Sequence, residues 1–178
     1  PQDVVNLFAY MQTLPAAAIP SLPHEVGFPF NIRRGLGAWK MMFFNEDFVL
    51  ADASDAQVER GRYLVEGLAH CGECHTPRDG LGGAKAGMAL AGTTKGPEGG
   101  LIPNITPDKE TGIGRWSDGD LHEILKTGML PDGDFVGDVM GEVVDETTGR
   151  LKVADLKAII LYLRSLPPVF HRIERKKK

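Results

Sequence analysis

The clearest apolar stripe in the chain lies near its end. In "DLKAIILYLRSLPP", Asp155 to Pro168, the residues Leu156, Ile159, Ile160 and Leu163 recur at the spacing of one helix face. Pro167 and Pro168 lack the N–H that a continuing helix needs, so the helix is predicted to end there. The opening stretch "DVVNLFAYMQTLPA", Asp3 to Ala16, carries a similar stripe. Aligned without gaps it pairs Asp3 with Asp155, Tyr10 with Tyr162, Leu14 with Leu166 and Pro15 with Pro167. Two helices that both bury one face would share a stripe, but they need not share a terminal Leu-Pro and a tyrosine in register. The pattern predicts one structural unit whose closing helix occurs twice.

Between these helices the pattern changes. Residues 17–53 form a connector, first rich in proline and then aromatic in "FPFNIRRGLGAWKMMFF", Phe28 to Phe44. A free linker has no use for so many exposed rings, so this segment is expected to lie against protein, either its own chain or another subunit. Helical signals resume at Ser54, the expected N-cap, and run through Val58, Gly61, Leu64, Val65 and Leu68. From Thr76 to Asn104 eight glycines alternate with Leu81, Met88, Leu90, Leu101 and Ile102, too many glycines for regular structure and too many apolar residues for a free loop. Such a segment must wrap around something. A short helix follows in "SDGDLHEILKTG", with Ser117 and Asp120 as a capping box and Gly128 as its stop. The expected divisions are 1–16, the tail of a preceding unit; 17–53, the connector; 54–168, the main domain; and 169–178, a basic tail.

Composition narrows the classes of function. A net charge of −4 over 178 residues gives no basic surface for nucleic acid, and the basic run Arg172, Arg175 and Lys176 to Lys178 reads as a solvated tail. No apolar stretch reaches the roughly 20 residues of a membrane span.

The chemistry is concentrated in "HCGECHTPRD", His70 to Asp79, which holds both cysteines of the chain and a histidine directly behind them. A C-x-x-C pair serves thioredoxin-like redox chemistry, half a zinc site, a disulfide or haem attachment. Zinc needs further ligands, and His24, His70, His122 and His171 are scattered without paired spacing. A redox pair is expected after a strand, whereas a helix precedes this one. Haem attachment uses all three residues: on one helical turn Cys71 and Cys74 share a face, and His75 projects beneath the iron as its proximal ligand. A porphyrin also supplies the body around which the glycine-rich stretch can fold.

An electron carrier keeps its iron six-coordinate in both oxidation states, and a thioether is suited to the far side. Met140, in the run "VGDVMGEVV" that reads as irregular between Gly137 and Gly141, is the leading candidate; Met129 is the runner-up and Met88 reads as wall. A histidine pair using His122 or His70 is less favoured. "DGDFVGD", Asp132 to Asp138, has a calcium-like rhythm without the full loop or its closing glutamate and is expected to be a turn.

The chain is similar to the class I c-type cytochromes, and within them to the dihaem and trihaem cytochrome subunits of bacterial periplasmic dehydrogenases. The likeness rests on "RGRYLVEGLAHCGECHTPRD", "LIPNITPDKETGIGRWSDGDL", "MGEVV" and "DLKAIILYLRSLPP". It implies an all-α class I cytochrome c fold of short helices and long loops around one covalent haem c. It implies thioethers at Cys71 and Cys74, axial ligation by His75 and Met140, Pro103 beside the histidine, Trp116 near the haem and Arg115 as a propionate partner. Gly61 with Leu64 or Val65 is expected to cross the final helix near Ile160 and Leu163. The function implied is single-electron relay between a dehydrogenase and a downstream acceptor, in the periplasm, with an export signal upstream of Pro1. Residues 28–44 are expected to contact a first haem domain or another subunit. The competing class is a haem enzyme with a displaceable sixth ligand, peroxidase-like or of the thiosulfate-oxidising dihaem kind; no nucleophile with its base is present in the pattern.

Overall fold

The structure is a computed structural model that describes residues 2–53, 55–96 and 99–174. It divides into two units, Pro1–Phe44 and Asn45–Lys178. Among the described residues there is no β-strand, only helices and three isolated bridges, Arg78 with Ala84, Thr93 with Ile102, and Met129 with Phe135.

The first unit contains α1 (Gln2–Met11) and α2 (Arg33–Phe43). The apolar stripe of α1 forms as a helix face, yet none of its residues is buried within the chain, Phe8 and Tyr10 included. The second helix, α2, was not expected in the connector; Trp39 and Phe43 stack along it with ring centroids 5.2 Å apart.

The second unit is built on the crossing of two helices. Its first helix is α3 (Ala56–Arg62), continued by a π-helical turn over Tyr63–Leu68. Ser54, the expected cap, lies outside the described residues; Asp55 caps α3, its carboxylate accepting from the N–H of Gln57 at 2.7 Å and Val58 at 3.1 Å. The partner is α7 (Val153–Ser165), which buries Leu156, Ile159, Ile160, Tyr162 and Leu163 as its stripe requires. Gly61 is the contact point: a methyl group there would lie 2.0 Å from the Ala158 carbonyl oxygen and 2.6 Å from Tyr162 Cβ. Gly61 itself meets Ala158 and Tyr162, the positions either side of Ile160, while Leu64 and Val65, one turn on, share the core cluster with Ile160 and Leu163.

Leu64, Val65, Leu90, Leu121, Ile159 and Leu163 join in one core cluster, to which the glycine-rich stretch contributes Leu90. The helix α5 (Asp118–Thr127) starts with the expected reciprocal cap between Ser117 and Asp120 and stops at Gly128, whose φ of 79° is left-handed. The run around Met140, expected to be irregular, is instead the helix α6 (Asp138–Glu146), begun at Gly137. Val136, just before α6, and Val144, within it, lie towards Gly128 at the end of α5, and α6 packs on α5, so tertiary packing sustains a helix that Gly141 alone would weaken. "DGDFVGD" begins as a turn, with Leu130 N–H bonded to the Asp134 carbonyl at 2.7 Å and Gly133 at φ 87°.

Arg62 and Glu66 fasten residues 48–51 to this frame. Arg62 donates from Nη1 to the carbonyls of Leu50 at 2.9 Å and Ala51 at 3.1 Å, and its guanidinium lies 4.3 Å from the centre of the Phe48 ring. The Tyr162 hydroxyl donates to the Glu66 carboxylate, which also accepts from Val49 N–H at 3.1 Å. Of the basic tail, Arg172 is described and pairs loosely with Glu174 at 3.8 Å; residues 175–178 lie outside the described residues.

Candidate haem-attachment site

The π-helical turn brings the chain to the cysteine motif. Ala69 N–H bonds to the Leu64 carbonyl at 2.8 Å and Cys71 N–H to Val65 at 2.9 Å, which widens the helix before it reverses. His70 turns the chain with a left-handed φ of 36°, a strained value for a residue with a side chain. The single turn α4 (Gly72–His75) then places Cys74 and His75 one turn from Cys71, whose carbonyl accepts the His75 N–H at 2.9 Å.

The two thiols are not joined to each other. Burial pushes the Cys71 thiol up to about 11, so at neutral pH it is protonated and unlike the thiolate of a redox-active pair. Cys71 packs against the apolar core cluster, and so does Trp116.

His75 is buried, and its Nδ1 lies 2.9 Å from the Pro103 carbonyl oxygen. A carbonyl can only accept, so Nδ1 carries the proton and Nε2 presents a lone pair. Burial holds the ring's pKa below the usual histidine value, against the smaller opposing effect of that hydrogen bond. A neutral ring, oriented through Nδ1 with Nε2 left for a metal, is the form in which histidine ligates. With two adjacent thiols on the same turn, this donor set fits a covalently attached haem.

The loop that supplies Pro103 is held from several sides. Gly92 N–H bonds back to the His75 carbonyl at 2.6 Å, and Leu90 N–H to Thr76 Oγ1 at 3.0 Å. Thr93 and Ile102 exchange both backbone hydrogen bonds at 2.9 Å. Gly92 has φ 79°, and a methyl group on it would lie 2.6 Å from Asn104 N and from the Pro103 carbonyl carbon. Only glycine lets the two limbs of the loop pass so closely. Sequence reasoning named Pro103 by resemblance but missed Thr76, Gly92 and Asn104. The glycine was one of eight in its stretch, and nothing in the local pattern distinguishes it.

Of the other sequence-derived residues, Trp116 is half-buried, and its carbonyl accepts from Arg164, which also donates to the Ile113 carbonyl at 3.1 Å. Arg115 is exposed. Met140 is half-buried in the first turn of α6, a helix that packs on α5 and on the 3₁₀ turn Thr148–Arg150. Met129 sits at the surface in its bridge to Phe135, and Met88 is half-buried. The structure therefore brings Cys71, Cys74, His75 and Pro103 together as one constellation, with Met140 on α6 and Arg115 at the surface.

Residues 58–167 match the family model described as cytochrome c. The chain is 46% identical over 170 residues to a protein described as dihaem cytochrome c-type from Cereibacter sphaeroides, covering 95% of this chain and 55% of that protein. It is 41% identical over 169 residues to the fructose dehydrogenase cytochrome subunit of Gluconobacter japonicus, covering 93% of this chain and 34% of that one. Over 177 residues it is 37% identical to the cytochrome c subunit of the alcohol dehydrogenase (quinone) of Gluconacetobacter polyoxogenes, covering 94% and 37% respectively. The chain thus spans about half, or about a third, of the length of these relatives.

Proposed function

The chain belongs to the cytochrome c family, with its all-α class I fold, and from that premise we propose that it relays single electrons from a dehydrogenase to a downstream acceptor through one covalent haem c. The observation that carries this reading is the buried, neutral His75, tied by Nδ1 to the Pro103 carbonyl at 2.9 Å, one residue from the second of two thiols on the same turn.

Cys71 and Cys74 would hold the group by thioethers, and His75 through Nε2 and Met140 through its thioether would ligate its iron. When bound, the haem contributes a one-electron ferric/ferrous couple. Pro103 fixes the tautomer and orientation of His75. The core cluster beside Cys71 and Trp116 excludes water, and a dry surround together with a thioether ligand favours the reduced state. Arg115 is assigned to a propionate. The relay role follows from the relatives, two of which are named as cytochrome subunits of dehydrogenases. Their dehydrogenase is the class of partner we assign to this chain, and residues 28–44, with Phe28, Phe30 and Met41 exposed, are the surface we assign to protein contact. Haem attachment to C-x-x-C-H takes place outside the bacterial cytoplasm, and on that ground we assign the protein to the periplasm. No helix among the described residues is long and apolar enough to cross a membrane.

The absorption spectrum of the oxidised protein tests this. Methionine bonded to ferric iron gives a weak far-red band; Met140→Ala is expected to abolish it and lower the potential, and Met129→Ala to leave it intact. High-spin iron that binds carbon monoxide or cyanide at once would overturn the carrier reading in favour of a haem enzyme.

A further inference from the structure

The chain beyond α7 is hydrogen-bonded into the loop that carries the proximal acceptor. Asn104, next to Pro103 and 3% exposed, donates from Nδ2 to the Val169 carbonyl at 2.7 Å and to Thr111 Oγ1 at 3.1 Å. Its Oδ1 accepts from Thr106 N–H at 2.9 Å and Thr106 Oγ1 at 2.8 Å, so both ends of the amide are satisfied and its orientation is fixed. Val169 N–H donates in turn to Thr106 Oγ1 at 3.1 Å, and His171 N–H to Thr111 Oγ1 at 3.0 Å. On the other limb of the loop, His171 Nδ1 donates to the Ala91 carbonyl at 2.9 Å, one residue before the Gly92 N–H that bonds to His75.

Residues 169–171 thus tie together the two limbs that grip His75: 91–92, bonded to its carbonyl, and 103–104, bonded to its ring. We propose that this segment is a strap that positions the Pro103 carbonyl on His75 Nδ1, and that Asn104 and His171 are positioning residues for the axial ligand. The inference rests on the haem-ligand role assigned to His75. Its physical basis is that a hydrogen bond at Nδ1 raises the basicity of the ring at Nε2 and so stabilises ferric iron. A loop that is free to move away weakens that bond, and the reduction potential rises.

The test uses the haem-loaded protein and two alterations. One ends the chain after Pro168. The other keeps the full chain but carries Val169→Pro and His171→Ala, which remove one backbone donor and the ring donor of the strap and decide the question where truncation alone prevents folding. Arg172→Ala, beyond the strap's hydrogen bonds, is the control. The readouts are the exchange rate of the His75 ring N–H in the ferrous protein, followed by proton NMR, and the midpoint potential. The expected result is ring exchange faster by about tenfold, the order of one lost net hydrogen bond, with a raised potential, and neither change in the control. A lowered unfolding midpoint with unchanged ring exchange and potential would make the strap a stabilising element only and overturn the proposal. Failure of the haem reading is separate and visible in the unaltered protein, which would then be colourless.

Discussion

Gly61→Ala is the substitution whose cost the structure defines most directly. The added methyl would sit 2.0 Å from the Ala158 carbonyl oxygen, against about 3.4 Å for ordinary contact, so α7 has to retreat by roughly 1.4 Å. The obstacle is backbone, and no rotamer change can relieve it. A gap of 0.5–1 Å already forfeits about a quarter to a half of each dispersion contact, and the pairs that lose them include Leu64 and Val65 against Ile159 and Leu163. Overpacking of this kind costs ~1–3 kcal/mol, and the upper end applies here. Replacing a helical glycine returns about 1 kcal/mol of propensity. The net expectation is a loss of about 2 kcal/mol, near thirtyfold in the folding equilibrium. Gly67→Ala, six residues on in the π-helical turn, is the comparison: its methyl would meet nothing nearer than Tyr63 Cδ2 at 3.6 Å. It is expected to be neutral or stabilising by a few tenths of a kcal/mol, up to about 1. Urea denaturation of the haem-loaded proteins, with the slope checked for constancy, measures both. Equal stability of the two variants would refute the close approach of α3 and α7.

Three further outcomes follow from side-chain contacts. Tyr162→Phe removes the hydroxyl that donates to Glu66 and is expected to cost about 1–2 kcal/mol by urea denaturation, with faster proteolysis at residues 48–51, which the same carboxylate helps to hold. In the intact protein the Tyr162 hydroxyl, raised by burial and by the neighbouring carboxylate, is expected to remain un-ionised in an alkaline ultraviolet titration beyond the ordinary tyrosine range. Asp108 and Asp120 have pKa values below the usual carboxylate value because they accept hydrogen bonds from Thr111 and Ser117. Their contribution to stability is complete above about pH 4, the unfolded value, and is lost as the pH falls through the depressed folded values. The unfolding midpoint should therefore fall in acid, and Asp108→Asn combined with Asp120→Asn should flatten that dependence; an unchanged acid limb would remove these two groups from the account.

Local chemistry was readable along the chain. The capping box of Ser117 with Asp120, the left-handed stop at Gly128 and the buried stripe of α7 all involve residues within a few positions of one another, where periodicity and side-chain type dictate the outcome. The C-x-x-C-H turn belongs to the same class, because a single helical turn is enough to align its three donors. The amphipathic pattern of α1 was equally legible, although the chain buries none of that face.

What only the tertiary structure decided lies between distant residues. The proximal acceptor is 28 residues from His75, and Asn104 meets Val169 across 65. No periodicity encodes such a pairing, since it depends on where loops of particular length return. Gly61 could be picked out as a crossing point, but its register against Ala158 and Tyr162 is set by how two whole helix faces interlock. The helix around Met140 forms where the pattern suggested an irregular run, because packing against neighbouring elements outweighs the weak propensity of a glycine-containing segment.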